Sequence, residues 1–196
     1  MKRKWLLYIS ITISILILLS GCSPSPEEQN TVPYIATLND IILPLDQYYL
    51  YLRTEIEMFE QISGGTDIWR TTIDGVRAID VAKNSALESM IQVTLINQRA
   101  TYTLSDDSAE FAIGVSENLW ASMSYWEQEL IPLEAVKAVI KAFLLNDVVE
   151  YELTRSYAMG ARVGVFANML ADWRNDAVVV RNAYSWDNMP DWLEGR

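Results

Sequence analysis

The sequence predicts a mainly α domain: a helical bundle with one small β-hairpin that a C-terminal strand joins. Three observations carry that expectation. Apolar residues recur at three- and four-residue steps through successive long segments, Asn39-Asp40 stands between two β-prone runs, and Ala177-Val178-Val179-Val180 follows the last helical stretch. Tyr34-Ile35-Ala36-Thr37-Leu38 and Ile41-Ile42-Leu43 form the hairpin, because Asn and Asp tolerate the positive φ of a tight turn. Pro44 suits the first turn of a helix carrying Leu45, Tyr48, Tyr49, Leu52, Ile56 and Phe59, with Asp46 near its positive end. Gly64-Gly65 ends it.

A second helix is expected from Ile79 to Tyr102, with Ala82, Ala86, Met90, Val93 and Asn97 on one stripe and Leu87, Ile91 and Leu95 widening it. Ser105, followed by Asp106 and Asp107, reads as an N-cap with first-turn acids, opening a third helix through Phe111, Val115, Leu119 and Met123. Dipole complementarity explains both acids, and no third ligand type lies nearby, so the pair reads as a helix start rather than a metal site. Pro132 opens a fourth helix, Leu133 to about Tyr157. Gly160 and Gly164 then read as a loop or helix break, before a last helix with Phe166, Met169, Leu170 and Trp173. The run Val178–Val180 is expected to pair with the hairpin, since two strands alone are marginal in water.

The first residues form a targeting device. Lys2, Arg3 and Lys4 precede an apolar stretch from Trp5 to Leu19, too short to cross about 30 Å of hydrocarbon at about 1.5 Å per residue. It runs into Leu19-Ser20-Gly21-Cys22, which resembles the lipobox of bacterial lipoproteins. There the Cys is acylated through its sulfur and becomes the first residue after cleavage. Cys22 is the single cysteine, with neither a disulfide partner nor a fellow metal ligand, which favours lipidation. The expected organisation is a signal peptide over 1–21, a polar, proline-punctuated linker over 22–31, and one domain over 32–196. A diacylglycerol with acyl chains such as palmitate would anchor it to the extracytoplasmic face of a bacterial membrane.

Composition narrows the function. The 196 residues carry 15 Lys and Arg against 26 Asp and Glu, with no His. Cleavage before Cys22 leaves twelve bases against 26 acids, a net −14. Nucleic acid is therefore an unsuitable partner, and an anionic lipid surface repels the domain. The missing His removes the commonest metal ligand and the usual neutral-pH acid/base. With no nucleophile elbow, phosphate loop or zinc spacing, the sequence suggests no enzyme, no metal and no cofactor beyond the lipid.

Three stretches resemble a known group. YIATLNDIILPLDQYYLYL (Tyr34–Leu52), WRTTIDGVRAIDVAKNSALESMI (Trp69–Ile91) and FANMLADWRNDAVVVRN (Phe166–Asn182) look like the chaperone core of SurA-like and PrsA-like extracytoplasmic foldases. Asp40 stands where that group has Gly. Its members usually insert a parvulin prolyl-isomerase domain of roughly 90–100 residues, an ordinary small domain. Here only eight residues separate Tyr157 from Phe166, and the His pair of parvulin sites has no counterpart. The resemblance thus implies a helical cradle for unfolded or partly folded exported polypeptides, without prolyl isomerisation.

The candidate cradle is Trp120, Met123, Tyr125 and Trp126. Aromatic rings supply rigid area and Met supplies adaptability, and one helix cannot bury every face of such a window. The alternative, which the pattern favours slightly, is that the same four residues form a staple between helices. Two functions follow: a lipid-anchored chaperone, or a structural adaptor lipoprotein docking one defined envelope partner.

Overall fold

The computed structural model describes residues 33–193, which form the expected mainly helical domain with a small antiparallel sheet. The signal segment, the lipobox with Cys22 and the whole linker over 22–31 lie outside the described residues.

The hairpin joins β1 (Tyr34–Leu38) to β2 (Ile41–Pro44) through Asn39 and Asp40, at φ 47° and 69°. Both values lie in the left-handed region that a type I′ turn requires, and Asp and Asn enter it at lower cost than other side chains. Tyr34 pairs with Pro44, whereas Ala36 pairs with Leu43, so β1 carries one extra residue. That bulge turns Ile35 and Ala36 to the same side, which is why two consecutive residues are fully buried in an otherwise alternating strand.

The closing strand β5 (Val179–Arg181) pairs antiparallel with β1, giving the order β2-β1-β5. It begins one residue later than the predicted Val178. Val178 instead clamps the turn: its N–H donates to Asn39 Oδ1 at 2.8 Å and its carbonyl accepts from Asn39 N–H at 2.9 Å. Ile42, Thr37 and Val180 form one row across the three strands, and both flanking members face solvent.

Pro44 stands at the N-cap with ψ 141°, completing β2 rather than entering the first helical turn. Helix α1 (Leu45–Ser63) ends at Gly64, φ 80°, where the Gly64 and Gly65 N–H groups both return to the Glu60 carbonyl. A 3-10 turn (Thr66–Arg70) leads to a second, unpredicted hairpin, β3 (Thr72–Ile73) and β4 (Val76–Arg77), turning on Asp74-Gly75 with φ 52° and 81°.

Helix α2 (Ala78–Asn97) packs along α1, with Ala82, Ala86, Leu87, Met90, Ile91, Val93 and Leu95 all buried as the stripe required. It stops at Asn97 rather than Tyr102, because Thr101 to Thr103 meet solvent and lack the packing that sustains a helical turn. Helix α3 (Asp106–Ala121) opens on Ser105, whose Oγ accepts from Ser108 N–H at 3.2 Å. Its buried stripe is rotated from the predicted one. Ala112 and Ser116 are buried against neighbours and Phe111 is exposed, since small side chains permit close approach to α5.

A short helix α4 (Tyr125–Leu130), absent from the expectation, precedes α5 (Leu133–Thr154), which ends before Tyr157. After a 3-10 turn at Met159–Ala161, α6 (Arg162–Asn175) contains Gly164. The predicted break therefore holds at Gly160 and fails at Gly164, which an adjoining helical turn absorbs. Arg174 forks onto Glu88, with Nε to Oε2 at 2.9 Å and Nη2 to Oε1 at 2.8 Å, and ties α6 to α2. That hydrogen bonding holds the Glu88 carboxyl below its ordinary pKa.

One core unites Ile35, Leu38, Leu43, Tyr48, Leu52 and Ile56 with Leu87, Ile91, Ile131, Val136 and Trp192. Tyr48 donates its hydroxyl to the Lys83 carbonyl at 3.1 Å, and burial pushes its phenol far above the ordinary range. A smaller cluster of Ile96, Val149 and Phe166 seats α6 on the ends of α2 and α5. Beyond β5, α7 (Ala183–Asp187) lies against β1, with Asn182 donating to the Ile35 and Tyr34 carbonyls.

Candidate functional site

The four predicted cradle residues do not form one open face. Trp120 is half-buried and donates Nε1 to the Ile131 carbonyl at 3.0 Å; Met123 is buried. Gln128 Nε2 donates to the carbonyls of both, at 3.0 and 3.2 Å, locking the α3–α4 corner. These two residues are the staple. Tyr125, 78% exposed, and Trp126, 37% exposed, remain at the surface. Trp126 sets its ring against Trp192, with centroids 4.9 Å apart in an edge-on arrangement. The hydrogen bond from Tyr125 to Glu129 pushes the Tyr125 phenol above its ordinary pKa.

Between Tyr125-Trp126 and the interior sits Glu127, nearly buried. Its Oε2 accepts from Ser124 N–H at 2.8 Å and Ser124 Oγ at 2.6 Å, while Oε1 accepts from Arg53 Nε at 3.1 Å. Burial raises its pKa, but the Ser124 hydrogen bonds and the Arg53 charge outweigh burial and hold the carboxyl below its ordinary value. This window is therefore built on a structural ion pair, and only its outer rings are available to a partner.

A second place exposes more apolar surface. The C-terminal half of α5 and the start of α6 enclose a shallow groove of about 370 Å³. Asp147, Glu150, Tyr151 and Thr154 line it from α5, at i, i+3, i+4 and i+7, a single helix face. Met159, Arg162 and Val163 close it from the other side. Met159 is 83% exposed and Val163 75%, and the Tyr151 ring is also open to solvent.

Local chemistry explains why the groove holds its shape. The Thr154 hydroxyl donates to the Glu150 carbonyl at 2.7 Å, so it belongs to the helix rather than to the groove. Arg162 donates Nε to the Tyr157 carbonyl at 3.2 Å and Nη2 to the Arg155 carbonyl at 3.1 Å, stapling the turn between α5 and α6. Its guanidinium also lies 5.6 Å from the Tyr151 ring centroid. Neither Asp147 nor Glu150 forms an ion pair among the described residues. The groove thus offers an aromatic, a thioether and an aliphatic surface beside two carboxylates that form no ion pair among the described residues.

Sequence reasoning missed this groove because its apolar members are single residues separated by polar ones. The signal within reach was the α5 face from Asp147 to Thr154 followed by Met159 on the far side of a helix break. Among the described residues, no group of three or more Cys, Asp or Glu is placed to hold a metal ion. Nor is any of their helices long and apolar enough to cross a membrane. No family model, curated protein or solved structure matches this chain.

Proposed function

We propose that this chain is a lipid-anchored extracytoplasmic chaperone that holds unfolded or partly folded exported polypeptides and has no prolyl isomerase activity. One observation carries the reading: the α5–α6 groove leaves Tyr151, Met159 and Val163 open to solvent together, on a domain with an otherwise well-filled core. An exposed Met beside an aromatic ring adapts to many apolar side chains, as a binder of unrelated chains requires. The lipobox supports the anchor, and the hairpin closed by a C-terminal strand is the arrangement that the SurA-like resemblance implies. A structural adaptor is the second reading, favoured by a groove large enough for only one short segment.

The soluble domain from Ser23 is expected to slow aggregation of a denatured, unrelated protein at near-stoichiometric ratio without ATP. The double variant Met159→Ser, Val163→Ser should lose that holding while its stability stays within about 0.5 kcal/mol of wild type, because both side chains are exposed. A wild-type domain that fails to hold unfolded chains would leave the adaptor reading in its place. The anchor is tested separately. Cys22→Ala should accumulate as an unprocessed, unacylated precursor, since the chain has no other thiol, and mass spectrometry of the membrane fraction reads the outcome. Mature acylated protein in that variant would overturn the lipobox.

A further inference from the structure

We infer that the α5–α6 groove takes a cationic side chain flanked by apolar residues, so the clients of the holding reading on which this rests are segments with Lys or Arg among apolar residues. The argument begins with the two sides of the groove. Tyr151, Met159 and Val163 form the apolar side, and Asp147 and Glu150 lie on the same α5 face as Tyr151. A Lys or Arg side chain has the same division, an aliphatic stem ending in a charge. Its stem covers Met159 and Val163 while its head reaches the carboxylates.

Charge decides between possible occupants. Among the described residues the carboxylates of Asp147 and Glu150 have no ion-pair partner; Arg162, the cation among those that line the groove, spends its hydrogen bonds on the carbonyls of Arg155 and Tyr157 and leaves the groove with a net charge of two acids against one base. A purely apolar segment would strip water from two carboxylates and return no counter-charge. An acidic segment would meet like charge directly. A cationic segment covers the apolar side and compensates the acids together. The acidic balance of the whole chain, 26 acids against 15 bases, adds long-range attraction for the same class of partner and speeds its arrival.

The test uses the full chain in a non-ionic detergent and fluorescein-labelled peptides in which Leu-Lys-Leu segments are spaced by Gly and Ser, read by anisotropy. Matched peptides carry Gln or Glu in place of Lys. The Lys peptide should bind about three- to tenfold more tightly than the Gln peptide, the range that one or two exposed charge pairs supply, and the Glu peptide should bind least. Asp147→Asn with Glu150→Gln should erase the preference for Lys over Gln. Glu110→Gln with Glu117→Gln, which removes the same charge from exposed positions of α3, should leave most of it. A preference that falls equally in both double variants would overturn the inference, because total charge would then account for it. Equal binding of the three peptides would also overturn it while the holding activity stood. Selective binding of the Lys peptide by a protein that suppresses no aggregation would support the groove assignment and remove the chaperone reading. Self-association abolished by Val163→Ser would seat a second copy in the groove and overturn the client assignment.

Discussion

Trp192→Ala is expected to cost roughly 3–5 kcal/mol, a large part of the 5–15 kcal/mol that holds an ordinary domain together. Trp192 is 1% exposed although it lies beyond the last helix, and its ring meets Tyr49 at 5.5 Å and Trp126 at 4.9 Å. It is thus the plug that the C-terminal segment inserts between α1 and α4. Emptying the site removes the transfer energy of the indole and leaves a cavity that α1 and α4 would have to close. Urea unfolding followed by circular dichroism measures the loss, and a midpoint near wild type would show that the tail is an accessory. Truncation after Asp176 should be more severe. It removes Trp192, the β5 ladder on β1 and the Asn182 contacts to Ile35 and Tyr34 together, and the domain is then expected not to fold.

The second large effect is expected at Glu127. Glu127→Ala removes the acceptor of Arg53 Nε and of the Ser124 N–H, leaving a nearly buried guanidinium with Glu57 alone, 2.8 Å away. Breaking one partner of a fully buried pair costs about 3–5 kcal/mol, and the remaining Glu57 contact reduces the expected loss to about 2–3 kcal/mol. Arg53→Met in the same background should recover part of it, since the stranded charge is then gone. The pH dependence has a definite sign. Hydrogen bonds and the Arg53 charge hold the folded-state pKa of Glu127 below its unfolded value, against burial, and hydrogen bonding to Arg174 does the same for Glu88. Both therefore contribute stability at neutral pH that persists down to the ordinary Glu range, near 4.3, and is lost as pH falls through the lower folded-state values. In Glu127→Gln the acid-side slope of stability against pH should be shallower than in wild type. An unchanged slope would mean that the Glu127 pair has no part in the acid response.

Much of the local architecture was legible in the sequence because short-range rules decide it. Asn39-Asp40 turns the chain, Gly64 stops α1 and Ser105 caps α3, each within a few residues of the chemistry responsible. The apolar stripe of α2 was legible for the same reason. Its neighbours cover nearly the whole of its apolar face, so the periodicity and the burial coincide. The S-x-x-E pattern of Ser124 and Glu127 is a local helix-start signal of the same kind, and it forms the capping box that opens α4.

Local patterning in the chain was enough to fix the order of the five long helices, the first hairpin with its closing strand and the acidic balance, while the Thr72–Arg77 hairpin and the short Tyr125–Leu130 and Ala183–Asp187 helices escaped it. Which apolar residues face water was decided only by tertiary structure. Met123 is covered and Trp120 half-covered because α4 folds back beneath α3, Trp126 rests against Trp192 and stays partly in solvent, and Phe111 is left exposed because Ala112 and Ser116 take the closer face. Met159 and Val163 stand open because the 3-10 turn after α5 directs them away from the core that seats Phe166. Burial depends on what lies across from a side chain, and those neighbours come from distant parts of the chain that no local pattern names.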